Sequence, residues 1–224
     1  MSIPDARVVA IDGPSGSGKS TIARGVACAL GLSVLDTGAM YRAVALAALE
    51  QRIALDDEQA CADVARTHDI AVERGVTTID GRDVSVAIRG PEATAAVSIV
   101  AAHPGVRSAL VAAQRAWVNE HGGGVVEGRD IGTVVFPGAP VKVYLTASDD
   151  ERARRRQREE EASDRPVGVE EVRSEMSRRD TLDSSRPTSP LRVADDAIAI
   201  DTTGRSVDEI VGELVERAHE AGIS

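Results

Sequence analysis

The residues Gly13-Pro14-Ser15-Gly16-Ser17-Gly18-Lys19-Ser20 follow the pattern GxxxxGK[ST], and Thr21 extends it. Glycines let a backbone curl until successive N–H groups face one anion. A helix opening at the end of the loop adds positive potential. The lysine ammonium then reaches the outer phosphates of a nucleoside triphosphate, and the Ser20 hydroxyl can ligate Mg²⁺ directly. From the composition of the chain, a chance match anywhere has a probability of about 0.002. The chain has two lysines, Lys19 and Lys142, against 24 arginines, and one of the two falls where the pattern needs it. A flexible glycine loop without a ligand is therefore the weaker reading.

The loop points to triphosphate binding without naming a reaction. A guanine-reading switch needs an Asn-Lys pair, but the single asparagine, Asn119, is followed by Glu120. An enzyme that moves a phosphoryl group onto an anionic acceptor must gather several negative charges, and arginine suits that work through its permanent charge and forked donors. Eleven arginines lie between Arg152 and Arg192, but twelve acids lie between Asp149 and Asp183, so most of that run reads as a solvated face. Arg42, Arg129 and Arg179 stand apart, because each sits at a loop or element end where a parallel sheet opens its ligand crevice. Asp183 lies four residues after Arg179 and three before Arg186, a spacing that brings the three to one helix face. They form either a surface ion-pair cluster or part of a ligand site; in a ligand site, loss of Asp183 should barely move the melting temperature.

The elements that must position these groups alternate. Val8 to Asp12 reads as a buried parallel strand, the glycine loop follows, and Lys19 to Leu30 reads as a helix closed by Gly31. Ser33 to Asp36 forms a short strand; Ala39 to Gln51 and Asp57 to Thr67 form helices. From Asp69 the period shortens. Val76 to Ile79 and Val84 to Ile88 are expected as strands around an Asp80-Gly81 turn. Helices follow at Glu92 to Ala102 and Pro104 to Asn119, then strands at Gly124 to Glu127 and Val141 to Leu145. Ser148 and Ser206 each open a helix with a capping-box spacing. Ser163 to Pro166 reads as a mobile loop, a helix spans Glu170 to Arg179, and Ala197 to Ile200 is the last strand. The sum is an α/β fold with helices on both faces of a parallel sheet.

Composition narrows the partners. With 42% hydrophobic and 28% charged residues the chain is globular, and a net charge of -10 argues against a nucleic-acid or anionic membrane surface. Four aromatic residues leave no stacking platform for single strands. No apolar run reaches the roughly 20 residues of a bilayer span, and no signal-peptide pattern appears. Cys28 and Cys61, without metal spacing, fit a reducing cytoplasm. Nothing requires an oligomer, so a monomer is expected.

The glycine loop together with Leu35-Asp36-Thr37-Gly38-Ala39-Met40-Tyr41-Arg42, Glu127-Gly128-Arg129-Asp130-Ile131-Gly132-Thr133 and Arg179-Asp180-Thr181-Leu182-Asp183-Ser184-Ser185-Arg186 resembles the bacterial cytidylate kinases. The resemblance runs almost end to end. It implies a single P-loop NTPase-type kinase domain over 1–224, with a small β-rich monophosphate-binding insert near 62–100 and a short lid near 152–166. It implies ATP as donor with Mg²⁺, and CMP or dCMP as acceptor. By position, Thr37, Tyr41, Arg42 and Arg129 would hold the acceptor phosphate. Ser98, Arg107, Asp130 and Arg186 would meet the cytosine, and Arg179 and Asp183 the ribose. Arg154, Arg155 and Arg158 would be the lid arginines. Asp36 either orders Mg²⁺ through water or serves as a helix N-terminal acid. Without the resemblance, a kinase for another small acceptor (a different nucleoside monophosphate, or shikimate) and a non-enzymatic nucleotide switch both remain open.

The motif predicts that Lys19 is turned toward ligand rather than packed. Lys19→Ala should therefore greatly lower ATP-dependent turnover while the circular dichroism spectrum stays unchanged; full turnover in that variant would overturn the kinase reading.

Overall fold

The computed structural model describes residues 6–162 and 167–224; the loop expected at Ser163 to Pro166 lies outside them. Its sheet is formed by β1 (Val8–Asp12), β2 (Val34–Asp36), β6 (Gly124–Gly128), β7 (Val141–Thr146) and β8 (Ile198–Asp201). The order is β2-β6-β1-β7-β8, and every pairing is parallel. All five residues of β1 are buried, as a strand covered on both faces requires. The pleat then sorts them. Val8 and Ala10 enter one core while Val9 and Ile11 enter the other.

The second of these cores lies under α1 (Lys19–Leu30) and α8 (Val207–Glu220). The first lies under α2 (Thr37–Glu50), α3 (Glu58–Thr67), α4 (Pro91–Val100) and α5 (Pro104–His121). The antiparallel strands β3 (Ile70–Glu73), β4 (Val76–Ile79) and β5 (Arg82–Asp83) pack on the same side. Two further helices, α6 (Asp149–Glu161) and α7 (Val169–Ser185), pack against each other beside the glycine loop. The last of these runs six residues past the end expected from sequence, and so carries Asp183 inside a helix.

The β-rich insert forms as expected at 70–83. Asp80 and Gly81 both take left-handed φ values, 51° and 79°, as a tight two-residue hairpin turn demands. The strand expected over Val84 to Ile88 does not form. Asp83 Oδ1 accepts from both the backbone N–H and the hydroxyl of Ser85, and Ser85 Oγ in turn accepts from Thr77 N at 2.9 Å. These side-chain bonds replace the ladder and turn the chain into a short 3₁₀ segment, Ala87–Arg89. Ser206 forms the full capping box expected, whereas Ser148 makes only its own half, with Glu151 Oε1 accepting from Arg155 Nε. Ser148 Oγ accepts from Glu151 N, and at Ser206 the reciprocal bond from the Ser206 backbone to Glu209 is also present.

The carboxyl ends of β1, β2 and β6 converge on the loop that follows β1. At its start Gly13 lies hard against β7, so that a Cβ there would stand 2.1 Å from the Leu145 carbonyl oxygen. That oxygen belongs to a central strand and cannot yield. Gly13→Ala should cost about 1–3 kcal/mol, with ~2–4 °C of Tm lost per kcal/mol in a chain of this size, read by thermal denaturation.

Candidate active site

Three acids at strand ends organise the floor of the cleft. Asp12 closes β1 and accepts from the backbone N–H groups of Ile131 and Gly132, both at 2.8 Å. These bonds hold the π-type turn Ile131–Val135 that follows Arg129 and Asp130. Burial pushes the Asp12 carboxyl up to about 6, against the pull of those two N–H donors. Asp36 closes β2, caps α2 by accepting from Ala39 N, and lies 3.6 Å from Arg89 Nη2. Glu127, near the end of β6, accepts from the Ser20 hydroxyl at 3.0 Å. Burial, and then the nearby Asp36, raises its carboxyl well above the usual range.

Lys19 is packed rather than turned outward as the motif suggested. It is 8% exposed, and its Nζ donates to the Pro14 carbonyl at 2.7 Å, across its own loop. Burial, and then the neighbouring Arg129, lowers the ammonium to about 7, with Glu127 pulling the other way. Ser20, Glu127 and Asp36 offer a hydroxyl and two carboxylates, an all-oxygen set. Mg²⁺ takes few protein ligands and keeps waters and phosphate oxygens, so this donor set fits it.

Opposite the loop stands a wall of arginines. Arg129 Nη1 donates to the Gly13 carbonyl at 2.9 Å and its Nε to Asp183 Oδ2 at 3.0 Å. Arg42 Nη1 donates to Ile88 O and to Thr94 Oγ1, and burial and then Arg179 lower its guanidinium to about 9. Thr37 Oγ1 donates to the Glu127 carbonyl at 2.7 Å. Deeper in, Arg107 and Asp130 form a buried ion pair, each about 5% exposed or less, with Arg107 also over the Tyr41 ring at 5.3 Å. Arg186 lies 3.6 Å from Asp130 and 3.9 Å from Asp183. Ser98 Oγ donates to Asp183 Oδ1 at 3.4 Å, and Arg179 Nε is 4.0 Å from Oδ2.

Asp183 therefore does not belong to a surface ion-pair cluster. It is 4% exposed, and its carboxyl stays below the usual range because Arg129, Arg179 and Arg186 outweigh the upward push of burial. Its removal must cost stability, contrary to the expectation drawn from spacing. Arg107 Nε, Arg179 Nε and Arg186 Nη2 are buried donors with no hydrogen-bond acceptor among the described residues. Buried donors normally find a partner, so a cleft that presents three of them suits an electron-rich ligand.

One cavity of about 460 Å³ gathers most of the residues expected from sequence. Ser15, Gly16, Gly18 to Thr21, Asp36, Thr37, Tyr41, Arg42, Ser98, Arg107, Arg129, Asp130, Arg179, Asp183 and Arg186 all line it. Gly13, Pro14 and Ser17 shape the loop from behind; Ser17 is fully buried and its carbonyl accepts from the Thr202 hydroxyl. The lid arginines divide differently. Arg154 and Arg158 are exposed, and Arg155 is held by Glu151 and Thr202 beside Gly18. Arg156, not singled out from sequence, lines the cavity and pairs with Glu159 and Glu160. Helical phase explains the split. Ala153 is the buried residue of α6, and 156 and 160 share its face while 154 and 158 do not. Sequence reasoning also passed over Glu127 and Asp12 as site residues, though both are acids at strand ends.

The cytidylate kinase family model matches residues 9–220. The chain belongs to the cytidylate kinase family. Cytidylate kinase from Geobacillus sp. (strain WCH70) is 47% identical over 216 residues, covering 95% of this chain and 96% of that one. The enzyme of the same name from Desulfitobacterium hafniense (strain Y51) is 48% identical, covering 92% and 90%. A bifunctional pantoate ligase/cytidylate kinase from Synechococcus sp. (strain JA-2-3B'a(2-13)) is 48% identical over 96% of this chain but only 41% of its own length. Among solved structures, TT1252 from Thermus thermophilus superposes with a TM-score of 0.50 at 18% identity, covering 97% and 98% of the two chains. That likeness concerns the fold.

The lowered Lys19 carries a sign that can be tested in this family member. Burial favours the neutral form of Lys19 in the free protein, and phosphates bound at the loop would favour its charged form, so binding above pH 7 should draw in protons. Calorimetry of ADP binding in buffers of different ionisation enthalpy should show net proton uptake that Lys19→Met abolishes; net release would contradict the assignment.

Proposed function

We propose that the protein transfers the γ-phosphoryl group of ATP to CMP or dCMP, giving ADP and CDP or dCDP, as a monomer in the cytoplasm. The observation that carries this reading is the buried Arg107–Asp130 pair at the far end of the same cleft that begins at Lys19. Arg107 offers donors to the O2 and N3 acceptors of cytosine, and Asp130 offers an acceptor to its N4 amine. Asp183, kept ionised by three arginines, accepts hydrogen bonds from ribose hydroxyls. Thr37, Tyr41, Arg42 and Arg129 hold the acceptor phosphate between these groups and the loop. One chain supplies every side chain named, and the free thiols of Cys28 and Cys61 fit a reducing compartment.

An acceptor phosphate is already anionic, so no strong base is needed, and catalysis rests on alignment, charge neutralisation and exclusion of water. The loop N–H groups and Lys19 bind the donor phosphates. Arg129 stands between loop and acceptor, where negative charge builds. Ser20 would hold Mg²⁺, with Glu127 and Asp36 as the nearby carboxylates, and the ion would supply further neutralisation of the phosphate oxygens. On α6 we assign Arg155 and Arg156 to the donor side, since both lie beside the loop or the cleft. Arg154 and Arg158 face solvent and join them only when α6 moves inward over bound nucleotides.

An ADP-release assay across AMP, CMP, UMP, GMP and dTMP tests the reading. UMP places a carbonyl where CMP has its amine, which sets Asp130 against another acceptor. A misplaced buried hydrogen bond costs about 1–3 kcal/mol, so kcat/KM should favour CMP over UMP by at least about tenfold. Equal efficiencies would sink the base assignment, and preference for an unrelated acceptor would favour the broader kinase reading.

Asp183→Ala should weaken kcat/KM for CMP while ADP affinity stays near the wild-type value. It should also lower stability by roughly 3 kcal/mol near neutral pH, because three buried cations lose their anion. The sign follows from the lowered carboxyl: its stabilisation is present above the unfolded pKa and vanishes as pH falls through the folded one. The gap in Tm between wild type and variant should accordingly close in strong acid; a gap that widens there would refute the ion-pair account.

A further inference from the structure

Asp180, beside Arg179 on α7, makes contacts that the acceptor site does not explain. Its Oδ1 accepts from the backbone N–H of Ser15 at 3.2 Å, and its Oδ2 pairs with Arg152 Nη1. The same Nη1 donates to the Ser15 carbonyl at 3.0 Å. One carboxylate–guanidinium pair thus grips the N–H and the C=O of a single residue in the phosphate loop. The pair is largely sequestered, with side-chain exposures of 11% for Arg152 and 16% for Asp180. Arg152 is itself anchored by Asp149 Oδ1 at 2.6 Å.

The surroundings leave the loop no freedom on this side. A Cβ on Gly16 would lie 2.8 Å from both the Arg152 carbonyl oxygen and Met176 Cε. Behind the pair, between α6 and α7, opens a second cavity of about 750 Å³ lined by Asp149, Arg152, Arg173, Met176 and Asp180 among others. Both members of the Arg152–Asp180 bridge line that space, and the same two side chains hold Ser15 of the loop. Within five consecutive residues, α7 presents Arg179 and Asp183 to the acceptor cleft and Asp180 to the donor loop. A helix holds such a set in fixed relative positions, rising about 1.5 Å per residue.

We propose that Asp180, acting through Ser15 and Arg152, is a positioning residue that sets the register between the donor loop and the acceptor nucleotide. The proposal rests on the phosphotransfer reading above. Binding of either nucleotide alone does not require that register, whereas in-line transfer does, and a misplacement of about 1 Å can cost about 100-fold in rate.

Asp180→Asn keeps the side chain's size and an acceptor for Ser15, but sets an amide against Arg152. CMP and ADP dissociation constants should each stay within about twofold of wild type while kcat falls by at least about tenfold. Asp180→Glu, which keeps the charge but lengthens the arm by one methylene, carries the same expectation should the Asn variant not fold. If the pair works as a unit, Asp180→Asn combined with Arg152→Met should lose about what Arg152→Met loses alone. Wild-type kcat in a folded Asp180 variant would overturn the proposal. So would a fully additive double variant, or a loss of both affinities and Tm in step with kcat. A wild-type chain that fails to phosphorylate CMP would instead sink the functional reading, before any variant is compared.

Discussion

Six cations gathered around one cleft, three of them buried and three half-buried, are the constraint on which the rest of this structure depends. Lys19, Arg42, Arg107, Arg129, Arg179 and Arg186 come from the glycine loop, α2, α5, the turn after β6, and the end of α7. Taken out of water at close quarters they repel, and the lowered values of Lys19, Arg42 and Arg179 record that cost. Carboxylates hold them in place, four of the six pairings reaching between different elements. Asp130 faces Arg107 and Arg186, Asp183 faces Arg129, Arg179 and Arg186, and Glu127 faces Lys19. A site built to receive phosphates is in this way also a set of long-range cross-links.

The sheet order makes those cross-links possible. Because β6 lies beside β1, Glu127 ends next to the loop that follows β1, and Arg129 one step on reaches the Gly13 carbonyl. Because β2 lies on the other side of β6, Asp36 and the start of α2 arrive at the same edge. Asp12 then ties β1 to the turn after β6, so the loop after β1 and the turn that carries Arg129 share one base. The insert joins this arrangement through Arg42, whose guanidinium is aimed by Ile88 and Thr94. Among described residues, the donor end is the more tightly packed: Gly13 and Gly16 have no room for a side chain.

Function and stability pull against each other here. Buried donors without acceptors and a packed ammonium are costs that a well-filled core avoids. They persist because the two apolar cores on either face of the sheet are extensive, and because each cation has at least one anion or carbonyl within reach. The paired helices α6 and α7 are dense in charge and poor in apolar surface, with Ala153, Val172 and Met176 as their buried side chains outside the ionic cluster. That thin packing anchors α6 less firmly than the sheet beneath, which suits the covering role proposed for it.

What the sequence determined alone is local. Loop glycines, most strand runs, the Asp80-Gly81 turn and the Ser206 capping box state their conformations through interactions spanning a few residues, and these took their expected forms. The Val84 to Ile88 strand failed because Asp83 and Ser85 offered the backbone nearer partners than a ladder did. Only the tertiary structure decided the pairings that make the site: Ser20 with Glu127 across 107 residues, Ser15 with Asp180 across 165. Periodicity reports which face of an element is apolar. It does not report which strand lies beside which, or which of several arginines on one helix turns inward, so Arg156 lay hidden beside Arg154, Arg155 and Arg158. Lys19 could be named from its motif, but its packing against Pro14 depends on how tightly the loop is folded against β7, α6 and α7, a three-dimensional fact that spacing along the chain does not contain.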